Sequence, residues 1–194
     1  VQARSGSRHA VPSAQEAGQA EGEHVLSGQV LLPGKRAAQE AVVYLEGTEK
    51  SKPMPKAIVD QRDKTFLPHV SVITQGTTVQ FPNNDTVFHN VFAYYQAKKF
   101  DLGMYPRGAS KSQTFDKTGL VAVLCNVHSQ MSAYIMVVDT PYFAVTDKQG
   151  RFHIRNVPPG SYTLHSWHES GALLTQTLTV KADYADLTLT LVRK

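Results

Sequence analysis

The sequence predicts an all-β protein built as packed sandwiches, and three observations carry that expectation. Apolar residues recur with period two in many short runs, as in Leu187-Thr188-Leu189-Thr190-Leu191. Glycine, proline and asparagine punctuate the chain at short intervals between those runs. No stretch of about a dozen residues holds apolar positions at helical spacing. Period-two alternation puts one face of a strand in a core and the other in water, and many short strands separated by turn residues mean sheets packed face to face.

Taken in order, residues 1–23 are rich in Ala, Gly, Ser and Gln without an apolar run, and are expected to form a disordered arm. The chain begins at Val1 without Met, so either a signal peptide has been removed or the N-terminus has been trimmed. From Val25 onward strands are expected throughout. Tyr95 to Gly103 is the one place for a short helix or irregular excursion, because Gln, Ala, Lys and Asp replace β-branched residues there. Gly119 to Leu124 and Ala133 to Val138 are apolar strands. Phe152/Ile154 and Tyr162/Leu164 alternate between the turns Asp147–Gly150 and Pro158-Pro159-Gly160. Leu174, Leu178 and Val180 share a face whose opposite side carries threonines.

Composition excludes several function classes. The 194 residues are 41% hydrophobic and 19% charged, enough for a core and too little charge for a high-charge disordered chain. A net charge of +4 without a Lys/Arg block makes a nucleic-acid footprint unexpected. The apolar runs are strand-length, far short of the ~18 residues of a membrane span. One cysteine, Cys125, excludes an intrachain disulfide. Nothing in the sequence specifies an oligomeric state.

The chemistry lies in two segments, Phe81-Pro-Asn-Asn-Asp-Thr-Val-Phe-His89-Asn90 and Cys125-Asn-Val-His128-Ser-Gln-Met131. The second reads Cys-x-x-His-x-x-Met on a turn between two apolar strands, and the first places a histidine after an Asn-Asn-Asp turn. A thiolate, two imidazoles and a thioether are the ligand set of a blue-copper site, with His₂Cys in a plane and a weak axial Met. A tight loop lets three ligands converge while His89, on another strand, ties the loop to the sheets. Three other readings of these residues compete with it. Structural zinc needs four Cys/His ligands, and Met is outside that set. A Cys125–His nucleophilic dyad lacks an orienting third group and an oxyanion hole. The remaining one is a buried structural cysteine beside surface histidines. The coincidence of His and Met at these offsets from the only cysteine favours copper.

Together with Phe66-Leu-Pro-His69 and Gly76-Thr-Thr-Val-Gln-Phe-Pro-Asn-Asn-Asp85, these segments resemble the cupredoxins, closest to the plastocyanin/amicyanin branch, with an amicyanin-like short loop. The run through Val138-Asp139-Thr-Pro-Tyr-Phe resembles cupredoxin-containing proteins of the methylamine-utilisation-like kind. The resemblance implies one type 1 copper ion held by His89, Cys125, His128 and, weakly, Met131, with Asn90 pinning the ligand loop by hydrogen bonds. Ser129 follows His128 where the family often has Pro. The resemblance also implies electron exit through His128 to a redox partner docking nearby, export to the periplasm or beyond, and no substrate transformed.

Gly28-Gln-Val-Leu-Leu-Pro-Gly34, Ala41-Val-Val-Tyr-Leu45 and Thr146-Asp-Lys-Gln-Gly150 through Pro159-Gly160-Ser-Tyr-Thr-Leu are similar to the carboxypeptidase regulatory-like, transthyretin-like sandwich. We therefore expect a discontinuous module of residues 24–48 plus 141–194, with a cupredoxin Greek-key sandwich inserted as 49–140.

The other histidines have plainer expectations. His9 and His24 are expected in solvent and His153 on an exposed face. His69 is expected at a strand edge, with an extra ligand or a gate to copper as the alternative. His165 and His168 flank Trp167, a core or interdomain anchor, and a second metal site there lacks a third ligand. Tyr94 and Tyr95 line an electron path or simply pack. Asp101 and Asp116 are lone carboxylates on turns. The expected function is a single-electron copper carrier. Two rivals stay open: copper delivery or storage without redox turnover, and an interaction module whose copper is structural.

Overall fold

The structure, a computed structural model, describes residues 22–47, 49–94 and 97–193. Most of the expected N-terminal arm, with His9, lies outside the described residues, as does Tyr95. The chain opens with β1 (His24–Leu32), β2 (Arg36–Ala37) and β3 (Val42–Glu46). Ten strands follow: β4 (Ala57–Ile58), β5 (Asp60–Arg62), β6 (Thr65–Leu67), β7 (Val70–Thr74), β8 (Thr77–Pro82), β9 (His89–Ala93), β10 (Phe100–Tyr105), β11 (Ser110–Phe115), β12 (Gly119–Leu124) and β13 (Ser132–Val138). The chain ends with β14 (Phe143–Val145), β15 (Arg151–Val157), β16 (Gly160–Trp167), β17 (Ala172–Val180), β18 (Tyr184–Thr190) and β19 (Val192–Arg193). The all-β expectation holds, with no helix among the described residues.

The middle strands form a five-stranded sheet, β10-β9-β12-β13-β7, facing a smaller sheet, β11-β8-β4, with the β5-β6 ribbon beside them. Alternation does the work the sequence predicts. Thr77, Val79 and Phe81 of β8 point inward while Thr78 and Gln80 face water. Phe66, Phe81, Phe115, Val121, Val123 and Ile135 fill the core between these sheets. Burying a side chain of this size is worth ~1.5–3 kcal/mol each.

The first and last strands pair with one another. β1 lies between β15 (antiparallel) and β18 (parallel), and β3 lies between β14 and β16. A second core joins Leu26, Val30, Val43 and Leu45 from the start of the chain to Phe152, Ile154, Leu164, Val180 and Leu189 from its end. Gly28 is required here. A Cβ at that position would meet the Leu187 carbonyl oxygen at 2.0 Å, so only glycine lets β1 and β18 approach.

A third apolar cluster bridges the two sets of sheets, with Val42 from β3 against Val70, Val72, Met136 and Val138 from β7 and β13. Trp167 anchors it, packing on Tyr134 with ring centroids 5.2 Å apart. Two expectations are corrected. Phe100 to Gly103 belong to strand β10 rather than to a helix or excursion, with a register shift between Asp101 and Met104 absorbing the irregular residues. His24 starts β1, half-buried, with Asp183 Oδ1 3.3 Å from its Nδ1, rather than lying free in solvent. His153 is exposed between buried Phe152 and Ile154, as expected.

Candidate metal centre

Strand register builds the site. β12 and β13 pair from Gly119↔Val137 to Leu124↔Ser132, so the loop Cys125–Met131 closes a hairpin at one end of the sheet. β9 pairs with β12 through Phe92↔Leu124, and continuing that antiparallel register carries His89 to the same end, beside the loop. The loop is tied to itself, since the Cys125 amide donates to the Met131 carbonyl (3.2 Å) and the Met131 amide to the His128 carbonyl (2.9 Å).

His89, Cys125 and His128 converge there, each offering one ligand atom within 4.8 Å of the others. Cys125 Sγ lies 3.9 Å from His89 Nδ1, and the two imidazoles meet at 4.9 Å between centroids. Metal–imidazole and metal–thiolate bonds of ~2.0 and ~2.3 Å place two such ligands at most about 4.3 Å apart, so the 3.9 Å between His89 and Cys125 can span one ion. His128 Nδ1 is buried and has no hydrogen-bond partner. A buried polar atom left unpaired normally costs ~1–3 kcal/mol, and a metal ion removes that cost. Met131 is 1% exposed and packs in the same core cluster as Cys125. Soft sulfur and imidazole donors together suit copper.

The surroundings orient these ligands. His89 Nε2 donates to Asp85 Oδ2 at 2.8 Å, and Nδ1 faces the thiol, where the neutral ring carries its lone pair. Asp85 is itself fixed: the Lys64 amide donates to Oδ2 (2.7 Å) and the Thr86 amide to Oδ1 (2.6 Å). The Lys64 amide, helped by His89 and Thr86, holds the Asp85 carboxyl well below the usual carboxylate range despite its burial. Asn83 completes the turn, its Oδ1 accepting from the Asp85 amide and its Nδ2 donating to the Val87 and Tyr105 carbonyls.

Asn90 braces the loop, its Oδ1 accepting from the Asn126 amide at 3.3 Å. Asp101 is not a lone turn carboxylate. It sits on β10 and accepts from Asn90 Nδ2 (2.8 Å) and the Gly103 amide (2.7 Å), so it holds Asn90 in place. Asp116 pairs with Lys98 at 2.8 Å, away from these ligands.

His69 stands at the head of the edge strand β7, as expected, and is not an extra ligand. Its Nδ1 bonds the Ser132 carbonyl and its Nε2 bonds Glu169. His165 stacks on Tyr44 and bonds Glu46 and Thr175, while His168 bonds Ser170 in its own turn. Among the described residues, His89, Cys125 and His128 form the one group of this kind suited to an ion. Tyr94 is exposed and packs on Phe92. The roles of Asp85 and Asp101 escaped the sequence reading. The available signal for Asp85 was a carboxylate inside the Asn-Asn-Asp turn four residues before His89.

Residues 114–186 match the family described as polysaccharide lyase family 4, domain II, a stretch running from β11 into β18. No curated protein matches the chain. Solved structures are similar over part of it. A purple cupredoxin from Nitrosopumilus maritimus is 21% identical, with 42% of this chain and 99% of that one covered and a TM-score of 0.39. A reduced amicyanin variant is 21% identical, with 51% and 99% covered and a TM-score of 0.40. A copper-containing nitrite reductase from Thermus scotoductus SA-01 is 25% identical over 48% of this chain, with a TM-score of 0.42, and the match spans only 24% of that enzyme.

Proposed function

We propose that the chain is a type 1 copper electron-transfer protein, a one-electron carrier in an exported respiratory or amine-oxidising chain. The observation that carries this reading is the convergence of His89, Cys125 and His128 at one end of a β-sandwich, with His128 Nδ1 buried and without a hydrogen-bond partner. His89, Cys125 and His128 would hold the ion strongly, with Met131 as the weak fourth ligand. Bound copper would supply the change between Cu(I) and Cu(II), and no substrate would be transformed.

The chain's own residues serve that role by holding still. A carrier works fastest when its ligands move little between oxidation states. Here Asp85 fixes the His89 ring, Asn90 and Asp101 fix the loop, and the core around Met131 excludes water. His128 is partly exposed, and Val127 and Phe88 next to the ligands expose apolar surface, which suits a redox partner docking over His128. In this reading residues 49–140 form a cupredoxin sandwich inserted into a carboxypeptidase regulatory-like sandwich of residues 24–48 plus 141–194, which would present or anchor it. No helix among the described residues is long and apolar enough to cross a membrane.

Copper delivery or storage is the second reading, favoured by the exposure of loop residues Asn126, Ser129 and Gln130 around His128. The visible spectrum of the Cu(II)-loaded protein tests the site: one copper with intense thiolate absorption is expected, lost in Cys125→Ser with far-UV circular dichroism unchanged. A colourless Cu(II)-loaded wild type would overturn the reading. Stopped-flow reduction beside copper transfer to an apo acceptor separates the two uses. Fast copper loss with sluggish electron transfer would favour delivery.

A further inference from the structure

We propose that His69 and Glu169 are positioning residues for the metal loop, through which the sheets built from the two ends of the chain clamp the backbone leaving Met131. Glu169 lies in the turn between β16 and β17, and its carboxylate meets His69 Nε2 at 2.6 Å. His69 stands just before β7, and its Nδ1 meets the carbonyl of Ser132, the residue after Met131, at 3.0 Å. The Tyr134 amide donates back to the His69 carbonyl at 2.8 Å. The imidazole also sits edge-on to the Tyr134 ring at 5.5 Å, and Tyr134 packs on Trp167 at the end of β16. A continuous set of contacts therefore runs from the β16–β17 turn to the exit of the ligand loop.

The hydrogen bonds fix the charge of the clamp. A carbonyl oxygen only accepts, and so does an ionised carboxylate, so both ring nitrogens of His69 must donate. The ring is an imidazolium wedged between two acceptors. Burial alone would lower its basicity, but the bond and charge of Glu169, then the Ser132 carbonyl and the charge of Glu40, raise it above the ordinary histidine value. The other titratable group against it is the Tyr134 phenol. Loss of the ring proton breaks one of the two links, because a neutral imidazole has a single N–H.

This inference rests on the copper reading only for its consequence at Met131, and the experiment separates the two. In the metal-free protein, amide hydrogen exchange at Ser132, Ala133 and Tyr134 is compared between wild type and Glu169→Ala, a change on a part-exposed side chain. About tenfold faster exchange at these amides is expected at pH 6, falling toward equal rates above the His69 titration, where the wild-type link is already broken. Glu169→Gln keeps an acceptor oxygen without its charge, so it should rescue part of the protection and move the transition to lower pH. Equal exchange at pH 6, or a difference that persists unchanged at high pH, would overturn the clamp. In the copper-loaded protein, Glu169→Ala should shift the ratio of the visible absorption bands while copper stays bound. An unshifted spectrum with altered exchange would overturn the positioning role. A wild type that binds no copper would remove the copper reading, while the exchange data would still decide the clamp.

Discussion

Asp85 offers a graded test of how the protein prepares His89. Its Oδ2 accepts from His89 Nε2 at 2.8 Å and from the Lys64 amide at 2.7 Å, and its Oδ1 accepts from the Thr86 amide at 2.6 Å. In Asp85→Ala these three donors lose their acceptor, as does the Thr86 hydroxyl, which donates to Oδ1 at 3.4 Å. Lys64 and Thr86 lie near solvent and can recruit water, but the His89 ring is fully buried. The stranded ring N–H costs about 1.5–3 kcal/mol, the range for a hydrogen bond to a charged group. At roughly 2–4 °C per kcal/mol for a chain of this size, the metal-free protein should melt about 3–12 °C lower. The ring is then free to carry its proton on Nδ1, which competes with metal, and affinity should fall about 10–100-fold. Asp85→Asn should lie between. Its amide oxygen can face Lys64 and His89, but its NH₂ then opposes the Thr86 amide and the bond to His89 loses its charge. The assays are thermal unfolding of the metal-free protein and competition for Cu(I) against a chromophoric chelator. The reasoning would be refuted by Asp85→Ala binding Cu(I) within threefold of wild type, or by Asn proving worse than Ala.

Other expectations follow from single observations. Met131→Leu nearly conserves volume, so it should cost under about 1.5 kcal/mol in unfolding titrations, keep one copper and change the visible spectrum; complete loss of copper would show that Met131 is more than a weak ligand. Gly28→Ala should destabilise the protein by about 1–3 kcal/mol or more in denaturant unfolding, because its Cβ would overlap the Leu187 carbonyl. Tyr105 is pushed up to about 12 by burial, with the nearby Cys125 adding to the rise against a bond from Gln61. Its raised value in the folded state means its share of stability is intact below pH ~10 and is lost as pH climbs toward 12. Ultraviolet titration should find Tyr105 among the phenols that ionise late, in step with unfolding, and normal ionisation of all tyrosines would contradict this.

What could be read from the sequence follows a physical division. Strands were legible because alternation is a local signal: β12 begins and ends where the apolar run does, and Thr77–Pro82 alternates residue by residue. Cys125 and His128, which the structure brings beside His89, were legible because one tight loop carries both, so chain spacing already approximates spatial spacing. His89 needed only the register of one neighbouring strand. The partners that steady these residues were not legible, and the reason is common to all of them. Asp85, Asp101 and Glu169 are ordinary carboxylates until a fold brings a donor to them, and a sequence holds many such groups. Asp101 reads as a turn residue because the Asp-Leu-Gly triplet suggests one, yet the β10 irregularity aims it at Asn90. Glu169 lies a hundred residues from His69, and no local pattern links a hairpin turn to a strand that distant. His69 illustrates the cost of judging a histidine by its neighbours in sequence. Beside a metal motif it resembles a ligand, but both its nitrogens are committed to acceptors, and that commitment excludes it from the metal centre. Ligand identity is thus a property of spacing along the chain, whereas ligand orientation is a property of the assembled sheets. Variants at Asp85 and Glu169 perturb the second while leaving the first untouched.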